Sequence, residues 1–573
     1  METSEGKQKV MEEGLSRPLS PHSQRKHGGW KSMPYIIGNE TFEKLASMSV
    51  IANITVYLRT QYHLDGILLV NVVTIWFGTS NFAPLLGAFL SDAYLGRFRT
   101  LLVGSFSSLL GMGIMTLTAA LPQLRPPTCY KRTDCLPPQK WQLSVLLAAL
   151  GFLSVGAGGI RPCNIAFGVD QFDARTEKGR RDIETFFDWY YLSFTISLLI
   201  AFTVVVYVQT NISWVIGLAL PTAFLAISII VFLFGTSIYM YMKPKGSIFT
   251  DLIKVAVAAT RKRNVTSTQV KELELYDSNA MEADPLVTKL PHTDGLVCLD
   301  KAAVITDPTD ELNREGLARN GWRLCSVQQV EHLKCFIRII PVWLSGITCF
   351  NVMDQQSTFG VLQAMQMDRH ITRHFEVPPA LMGVGPMITL SIWIIIYEQV
   401  LIPSASKLAK REVRISMRTR MLIGIIMSIL CMAVAGTIEG RRRDKALKNH
   451  SYTAPMSFAW LVPQFMLSGL TEAFMAIGIM EFVTMKLPES MRTIAGSIFF
   501  LGLAFASYIS TLIVNIITSI TKRNGGEAWL GGHDLNTNRL DYYYYIIGLL
   551  GVLNLIYFIA FAGRHASRAK PAA

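Results

Sequence analysis

Two carboxylates and one ammonium group lie within an otherwise apolar stretch of the chain. Residues 34–58 have the length and composition of a membrane-spanning helix, yet they include Glu40, Glu43 and Lys44. A charged side chain at membrane depth costs about 2.5–3.5 kcal/mol on insertion scales, so such residues are rare and commonly functional. On a helix, positions i, i+3 and i+4 share one face, so the three side chains can pair and share a proton. The spacing predicts a proton-binding cluster.

The rest of the chain supplies helices that must hold this cluster. Half of its 573 residues are hydrophobic and only 17% are charged, whereas soluble domains carry about a quarter charged residues. Apolar blocks of about 20 residues, the length that crosses a hydrocarbon core, recur along the chain. We predict an all-α polytopic membrane protein with twelve transmembrane spans, at 34–58, 68–90, 98–121, 141–168, 185–208, 214–240, 334–360, 380–402, 418–437, 457–486, 490–516 and 541–563.

A long polar segment divides these spans into two groups of six. Two six-span halves with such a connector are typical of the major facilitator architecture, in which the solute site lies between the halves near the membrane midplane. Within the connector, the stretch from Phe249 to Asn264 is predicted to be an amphipathic helix on the cytosolic membrane surface. The predicted parts are a disordered cytosolic tail (1–32), the N-terminal half (33–240), the linker (241–333), the C-terminal half (334–563) and a cytosolic tail (564–573).

The net charge of +13 reflects Lys and Arg residues that cluster in short connections between spans. This distribution follows the positive-inside rule, so it indicates topology rather than a nucleic-acid partner, and it places both termini in the cytosol. Segment 438–456 is an exception, because it must form an outer loop although it contains the basic residues Arg441, Arg442, Arg443, Lys445 and Lys448.

Three features fall on the predicted outer side. Asn211 and Asn449 each begin an Asn-x-Ser sequon and are candidate glycosylation sites. Cys129 and Cys135 lie close together in a polar loop, where they form either a disulfide or two free thiols. That loop contains no further Cys or His, so we predict no metal site.

Two further charges lie inside predicted spans of opposite halves. Arg161 follows a run of small residues in the fourth span, and Glu472 lies near the middle of the tenth. A salt bridge between them would close one gate, and protonation or bound solute would open it. The alternative is a purely structural buried pair. For Glu481, nearer the cytosol, a structural or interfacial role is as plausible as a functional one.

The connection between the second and third spans reads GAFLSDAYLGRFRT, from Gly87 through Asp92, Gly96 and Arg97 to Thr100. It resembles the signature between the second and third helices of major facilitators, in the variant typical of proton-dependent oligopeptide transporters. Glu40-x-x-Glu43-Lys44 resembles that family's proton-coupling motif. Segments 186–191, 320–327 and 488–492 are similar to the plant branch, the nitrate/peptide transporter family (NPF), and 38–45 and 156–163 to its subfamily of low-affinity nitrate and glycoside carriers.

The resemblance also suggests which residues would contact the solute. Besides Arg161 and Glu472, it points to the position of Met353. From their residue types, Tyr190, Gln355 and Gln356 suit a site for a glycosylated or organic solute, and ordinary helix packing is the alternative for each. Met353 takes the place of a seventh-helix histidine associated with nitrate recognition, and Ser47 and Met48 replace aromatic residues of peptide carriers, so peptide transport is disfavoured. Thr100, with Arg97 three residues before it, matches a site that is phosphorylated in a nitrate-carrying relative, which implies a kinase as partner.

We therefore expect a proton-coupled symporter, most simply of nitrate at low affinity, that works by alternating access and needs no cofactor beyond the proton gradient. The alternative cargo is a glucosinolate or another glycosylated metabolite, and a solute sensor without transport is a further alternative. An enzyme is disfavoured, because Gly156-x-Gly158-Gly159 lies inside an apolar helix without a preceding strand. We expect a monomer or weak dimer in the plasma membrane, with the vacuolar membrane as the alternative.

Overall fold

The computed structural model describes residues 28–127, 136–173, 176–242, 246, 248–265, 273–277, 290–314, 316–372, 375–410, 415–488, 491–523 and 528–567. Eleven of its helices are long and apolar enough to cross a membrane. Helix Met33–Thr60 is as long as these, but its three clustered charges lower its mean hydropathy. Together they form the expected all-α fold of twelve spans in two six-helix halves.

We number the twelve helices as spans 1 to 12 in chain order. Span 1 is Met33–Thr60, and the others are Gly66–Leu95, Arg97–Ala120, Lys140–Val169, Glu177–Ile212, Trp214–Ser237, Val327–Met365, Pro379–Leu408, Met417–Lys448, Phe458–Lys486, Ala495–Lys522 and Leu540–Ala566. The side on which span 1 begins and span 12 ends is called the terminal side, and the opposite side the far side.

Capping residues explain where several spans begin. The Asp65 carboxylate accepts a hydrogen bond of 2.8 Å from the Gly66 amide at the start of span 2. Ser326 and Gln329 form a capping box, so span 7 begins at Val327, before the predicted boundary at 334. Gly96 adopts a φ of +77°, which favours glycine and permits the sharp turn between spans 2 and 3.

Spans 2, 3 and 4 approach one another closely because glycines line their contacts. A Cβ atom on Gly87 of span 2 would lie 1.8 Å from the carbonyl oxygen of Gly158 in span 4. A Cβ atom on Gly159 would lie 2.6 Å from the Thr100 carbonyl oxygen in span 3. The small residues that precede Arg161 therefore set the position of its backbone.

The predicted outer loop over 438–456 is wrong for its first part, because span 9 continues as a helix to Lys448. Glu439 and Arg442, one turn apart, form an ion pair with both side chains fully buried. Charges that neutralise each other inside the protein do not end a helix. Beyond the helix, strand β4 (Ala454–Ser457) pairs with β1 (Met367–Asp368), and β2 (His370–Thr372) pairs with β3 (Phe375–Glu376).

The two halves meet mainly on the far side. Backbone and side-chain hydrogen bonds join Gly66 to Gly532, Arg59 to His533, Thr55 to Ser357, Asn71 to Asn515, Thr74 to Thr511 and Thr79 to Tyr508. The structure is therefore closed toward the far side.

The linker contains the expected amphipathic helix, which spans Ile248–Arg261 rather than extending to Asn264. Its apolar face packs against protein, on Ala302, Ala303 and Val330, so its buried side chains do not face a membrane surface. The linker helix therefore lies against the beginning of span 7.

Candidate functional site

The three charges of span 1 form one buried cluster, as their spacing predicts. Lys44 Nζ lies 3.4 Å from Glu40 Oε1 and 3.2 Å from Glu43 Oε2. Glu40 is 1% exposed, Glu43 4% and Lys44 7%. A single ammonium group is therefore shared between two carboxylates.

Glu40 also accepts hydrogen bonds from two other spans. The Tyr190 hydroxyl of span 5 donates to Glu40 Oε1 at 2.5 Å. The Asn164 side-chain amide of span 4 donates to Oε2. Tyr190, which the sequence suggested as a solute contact, instead lies behind the cluster and holds one of its carboxylates.

Glu43 and Arg161 line the same small cavity, whose volume of about 20 Å³ is enough for roughly one water molecule in this conformation. Its polar wall consists of Glu43, Ser47, Trp76, Ser80, Ser108 and Arg161, and aliphatic side chains of spans 1, 3, 4 and 6 complete it. The fold thus places the Arg161 cation and the Glu43 carboxylate on one cavity wall.

Arg161 and Glu472 do not form the expected ion pair in this conformation. The guanidinium group of Arg161 donates to Asn81 Oδ1 at 2.9 Å and to the Ser80 carbonyl oxygen at 3.2 Å, and it lies 5.8 Å from the Phe500 ring centroid. Glu472 opens a π-helical turn in span 10, and its side chain has no hydrogen bond or ion pair to another described residue. The side chain that reaches Arg161 from the other half is therefore Phe500.

The span 7 residues suggested as solute contacts lie within the C-terminal half. Gln355 is fully buried and bonds Asn351, Ser510 and Tyr543. Gln356 is 2% exposed and accepts from Gln464. Met353 packs at the edge of an apolar cluster of the same half. The structure uses these side chains for packing between spans, so none of them faces the cavity around Arg161.

The signature of residues 87–100 lies on the terminal side, where it contacts the end of span 4 and the linker. Arg97 pairs with Asp170 at 2.5 Å rather than with Asp92. The backbone carbonyl of Asp92 accepts from the Gly246 amide of the linker at 3.2 Å. Thr100 is 5% exposed and its hydroxyl donates to the Gly96 carbonyl. A kinase cannot reach the Thr100 hydroxyl in this conformation.

Asn211, Asn449 and Glu481 lie near the ends of spans. Asn211, at the end of span 5, and Asn449, directly after span 9, are exposed on the far side. Cys129 and Cys135 fall outside the described residues. Glu481 pairs with Arg420 at 2.7 Å, in keeping with a structural role.

Sequence reasoning missed three polar residues within the spans. Asp354 of span 7 accepts a hydrogen bond of 2.6 Å from Ser507 of span 11, and its charge within an apolar block was a readable signal. Arg442 was hidden in a run of basic residues, although Glu439 precedes it by three positions. Asn164 gave no signal, because an isolated asparagine in a span is common.

One group of residues, from the linker and the beginning of span 7, has the spacing of a metal site. His292, Asp300 and Glu331 lie close enough together to share an ion. Lys334 Nζ, however, lies 2.7 Å from Asp300 Oδ1 and 2.9 Å from Glu331 Oε1, and it is fully buried. The Lys334 ammonium group already occupies the position between the two carboxylates, so this group of residues does not fit a metal ion.

A multi-pass membrane protein with two six-helix halves and a charged cavity has the architecture of a secondary transporter. The POT family model (PTR2) matches residues 98–530. The chain is 52% identical to the Arabidopsis thaliana protein NRT1/PTR family 2.8, and the match covers 96% of this chain and 97% of that protein. It is 46% identical to NRT1/PTR family 2.12 of the same plant, and that match covers 95% of this chain and 93% of that protein. Its fold is similar to that of the POT family transporter PepTSo, with a TM-score of 0.66 and 17% identity over 94% of this chain and 99% of that one.

The chain therefore belongs to the POT family, in its plant NRT1/PTR branch. It is a transporter rather than an enzyme, and POT family transporters carry small solutes driven by protons.

Proposed function

We propose that this chain is a proton-coupled symporter of a monovalent anion, nitrate in the simplest case, that works by alternating access. The observation that carries the proposal is the shared cavity wall of Glu43 and Arg161. Glu40, Glu43, Lys44 and Arg161 contribute two negative and two positive charges, so the cluster is neutral when both glutamates are ionised. Uptake of one proton leaves a net charge of +1 beside the cavity, which favours a monovalent anion.

The proposed cycle couples this charge to the two gates. Protonation of the cluster weakens its hold on Lys44, and an anion bound at Arg161 draws the guanidinium away from Asn81. Glu472, which has no cationic partner here, is then a partner for Arg161 in the opposite conformation. The far-side contacts between Arg59, Gly66 and the 532–533 loop separate when the protein opens to that side.

A larger organic anion, such as a glucosinolate or another glycoside, is the second candidate. The Ser47, Ser80 and Ser108 hydroxyls and the Trp76 indole on the cavity wall favour it, because hydroxyl groups and aromatic faces suit a sugar as well as an inorganic ion. A sensor that binds the solute without moving it is the third candidate. The intact pairing of Lys44 with Glu40 and Glu43 supports transport instead.

The same proposal covers the membrane topology, location, oligomeric state and phosphorylation of the protein. Basic connections on the terminal side support a cytosolic location of both termini, with the far side outside the cell or in the vacuole. The plasma membrane and a monomer or weak dimer remain the proposed location and state. Thr100 is proposed as a phosphorylation site only in a conformation that separates spans 2 and 3.

Uptake by oocytes at mildly acidic external pH tests the function. Labelled nitrate and a panel of glucosinolates are offered separately and in competition, and currents on solute addition distinguish a symporter from a sensor. Glu43→Gln and Glu40→Gln are expected to abolish acid-stimulated uptake at normal surface expression. Glu177→Gln, an exposed partner of Arg181, is the matched control. Acid-stimulated uptake that survives in both cluster variants would contradict the coupling scheme.

A further inference from the structure

A second cavity lies within the C-terminal half, apart from the cavity that Glu43 and Arg161 line. It has a volume of about 220 Å³ and lies between spans 8, 9 and 10, on the terminal side of their midpoints. We call it the span 8 cavity. A cavity of about 150 Å³ is large enough to hold a benzene molecule, so the span 8 cavity has room for a small organic group.

Aromatic rings form one wall of the span 8 cavity. The ring centroid of Trp393 lies 4.8 Å from that of Phe474 and 6.2 Å from that of Tyr397. The Tyr397 hydroxyl accepts a hydrogen bond of 3.2 Å from the Ile415 amide, which holds this ring against the segment before span 9. Aromatic faces attract cations, so this wall favours a positively charged ligand.

The charged residues at the span 8 cavity favour the same kind of ligand. Arg420 lines the cavity and pairs with Glu481 at 2.7 Å, so these two charges cancel. Glu398 also lines the cavity, and its side chain has no hydrogen bond or ion pair to another described residue. The three side chains together therefore carry a net charge of −1, which favours a ligand with one positive charge.

The position of Glu398 in span 8 makes its lack of a partner costly. It precedes the end of the span at Leu408 by about 15 Å along the helix axis, and Ile394, Ile395 and Ile396 beside it are exposed. A carboxylate in such apolar surroundings is costly without a partner. The structural alternative, in which Glu398 neutralises Arg420, is already met by Glu481.

We propose that the span 8 cavity binds an ammonium group, with the Glu398 carboxylate as its counter-ion and the Trp393 and Tyr397 rings as its aromatic wall. The headgroup of a phospholipid such as phosphatidylethanolamine supplies an ammonium group, and so does a free amine. The exposed isoleucines beside Glu398 favour the lipid, because its acyl chains have an apolar surface to contact there. This site is independent of the solute that the central cavity carries.

Lipid titration of the purified full-length protein in detergent, followed by native mass spectrometry, tests the site. Phosphatidylethanolamine presents an ammonium group, whereas phosphatidylglycerol has none and is the matched lipid. Glu398→Gln keeps the shape of the side chain and removes its charge, so the affinity for phosphatidylethanolamine is expected to fall about fivefold. The affinity for phosphatidylglycerol is expected not to fall. Trp393→Leu, which removes one aromatic face, should have the same selective effect.

Glu177→Gln is the matched control, because Glu177 is an exposed glutamate at the start of span 5 and lies outside this cavity. Its affinity for both lipids is expected to equal that of the wild-type protein. Competition with ethanolamine distinguishes the two sources of the ammonium group: displaced lipid identifies free amines as ligands, and lipid that stays bound identifies the bilayer as the source. Unaltered phosphatidylethanolamine binding by Glu398→Gln, or an equal loss of both lipids, would overturn the proposal and leave proton-coupled transport untouched.

Discussion

Replacing Arg442 by leucine should destabilise the protein more than any other single charge removal in span 9. The guanidinium group is fully buried and forms two hydrogen bonds of 2.8 Å with Glu439. It also donates to Asn536 Oδ1 at 2.8 Å. In Arg442→Leu, the fully buried Glu439 carboxylate keeps the Gln363 amide as its one donor among the described residues. Removal of one partner of a buried ion pair costs about 3–5 kcal/mol.

Thermal denaturation in detergent, followed by size-exclusion chromatography, measures this loss. Arg441→Leu is the matched control, because Arg441 is the neighbouring residue but is exposed. The double variant Glu439→Leu/Arg442→Leu should regain most of the stability, since replacing a whole buried pair by apolar residues is often neutral. If Arg442→Leu denatured at the same temperature as Arg441→Leu, or if the double variant were worse than the single one, the reasoning would be refuted.

The same substitution should loosen the far-side closure. Arg442 holds Asn536 in the loop whose neighbouring residue His533 bonds Arg59 of span 1. Without this anchor, the loop has fewer contacts to fix it against the N-terminal half. Arg442→Leu should therefore also increase labelling of a cysteine placed at Ile67, which packs against the same loop.

Three further predictions concern packing, pH and solute affinity. Gly87→Ala should lower the yield of folded protein, because the added Cβ forces spans 2 and 4 apart at a cost of about 1–3 kcal/mol. Gly113→Ala is the control and should be tolerated, because the space around Gly113 is open. The yield of the two variants after size-exclusion chromatography measures the difference. Burial and the charge of Arg59 lower the pKa of His533 below 6.5, and Asp65 opposes them. The far-side closure is therefore fully stable above about pH 6.5, and it weakens as the pH falls toward the lowered pKa of His533. Labelling of the Ile67→Cys protein should rise on acidification and lose that pH dependence with His533→Gln. Asn81→Ala removes a hydrogen bond to Arg161, and a hydrogen bond to a charged group is worth about 1.5–3 kcal/mol. The KM for the transported anion should therefore change about tenfold or more while expression is unchanged. An unaltered KM would exclude Asn81 from the solute site.

The proton-binding cluster shows what local spacing can predict. Glu40, Glu43 and Lys44 lie within five positions of one helix, so their proximity follows from helical geometry alone. The twelve spans were predictable for a similar reason, because the length and polarity of a membrane helix are properties of a continuous segment. The exception was span 9, where the pairing of Glu439 with Arg442 allowed a helix to continue through residues that composition assigned to a loop.

The surroundings of the cluster depend on contacts between distant segments. Tyr190 and Glu40 are 150 positions apart, and no local pattern distinguishes a tyrosine that faces a cavity from one that bonds a carboxylate. Gln355 and Gln356 were indistinguishable from solute contacts for the same reason, because a polar residue in a span can face either a neighbouring helix or the cavity.

The amino-acid sequence by itself determined the membrane-spanning helices, the charged face of span 1 and the family resemblance. Only the tertiary structure decided that Tyr190 and Asn164 hold Glu40, that Glu43 meets the cavity with Arg161, and that Arg161 and Glu472 are apart when the far side is closed. The physical reason is that the rotation and packing of each helix are set by all its neighbours together. Helical periodicity places side chains on a face, and the fold determines what that face meets.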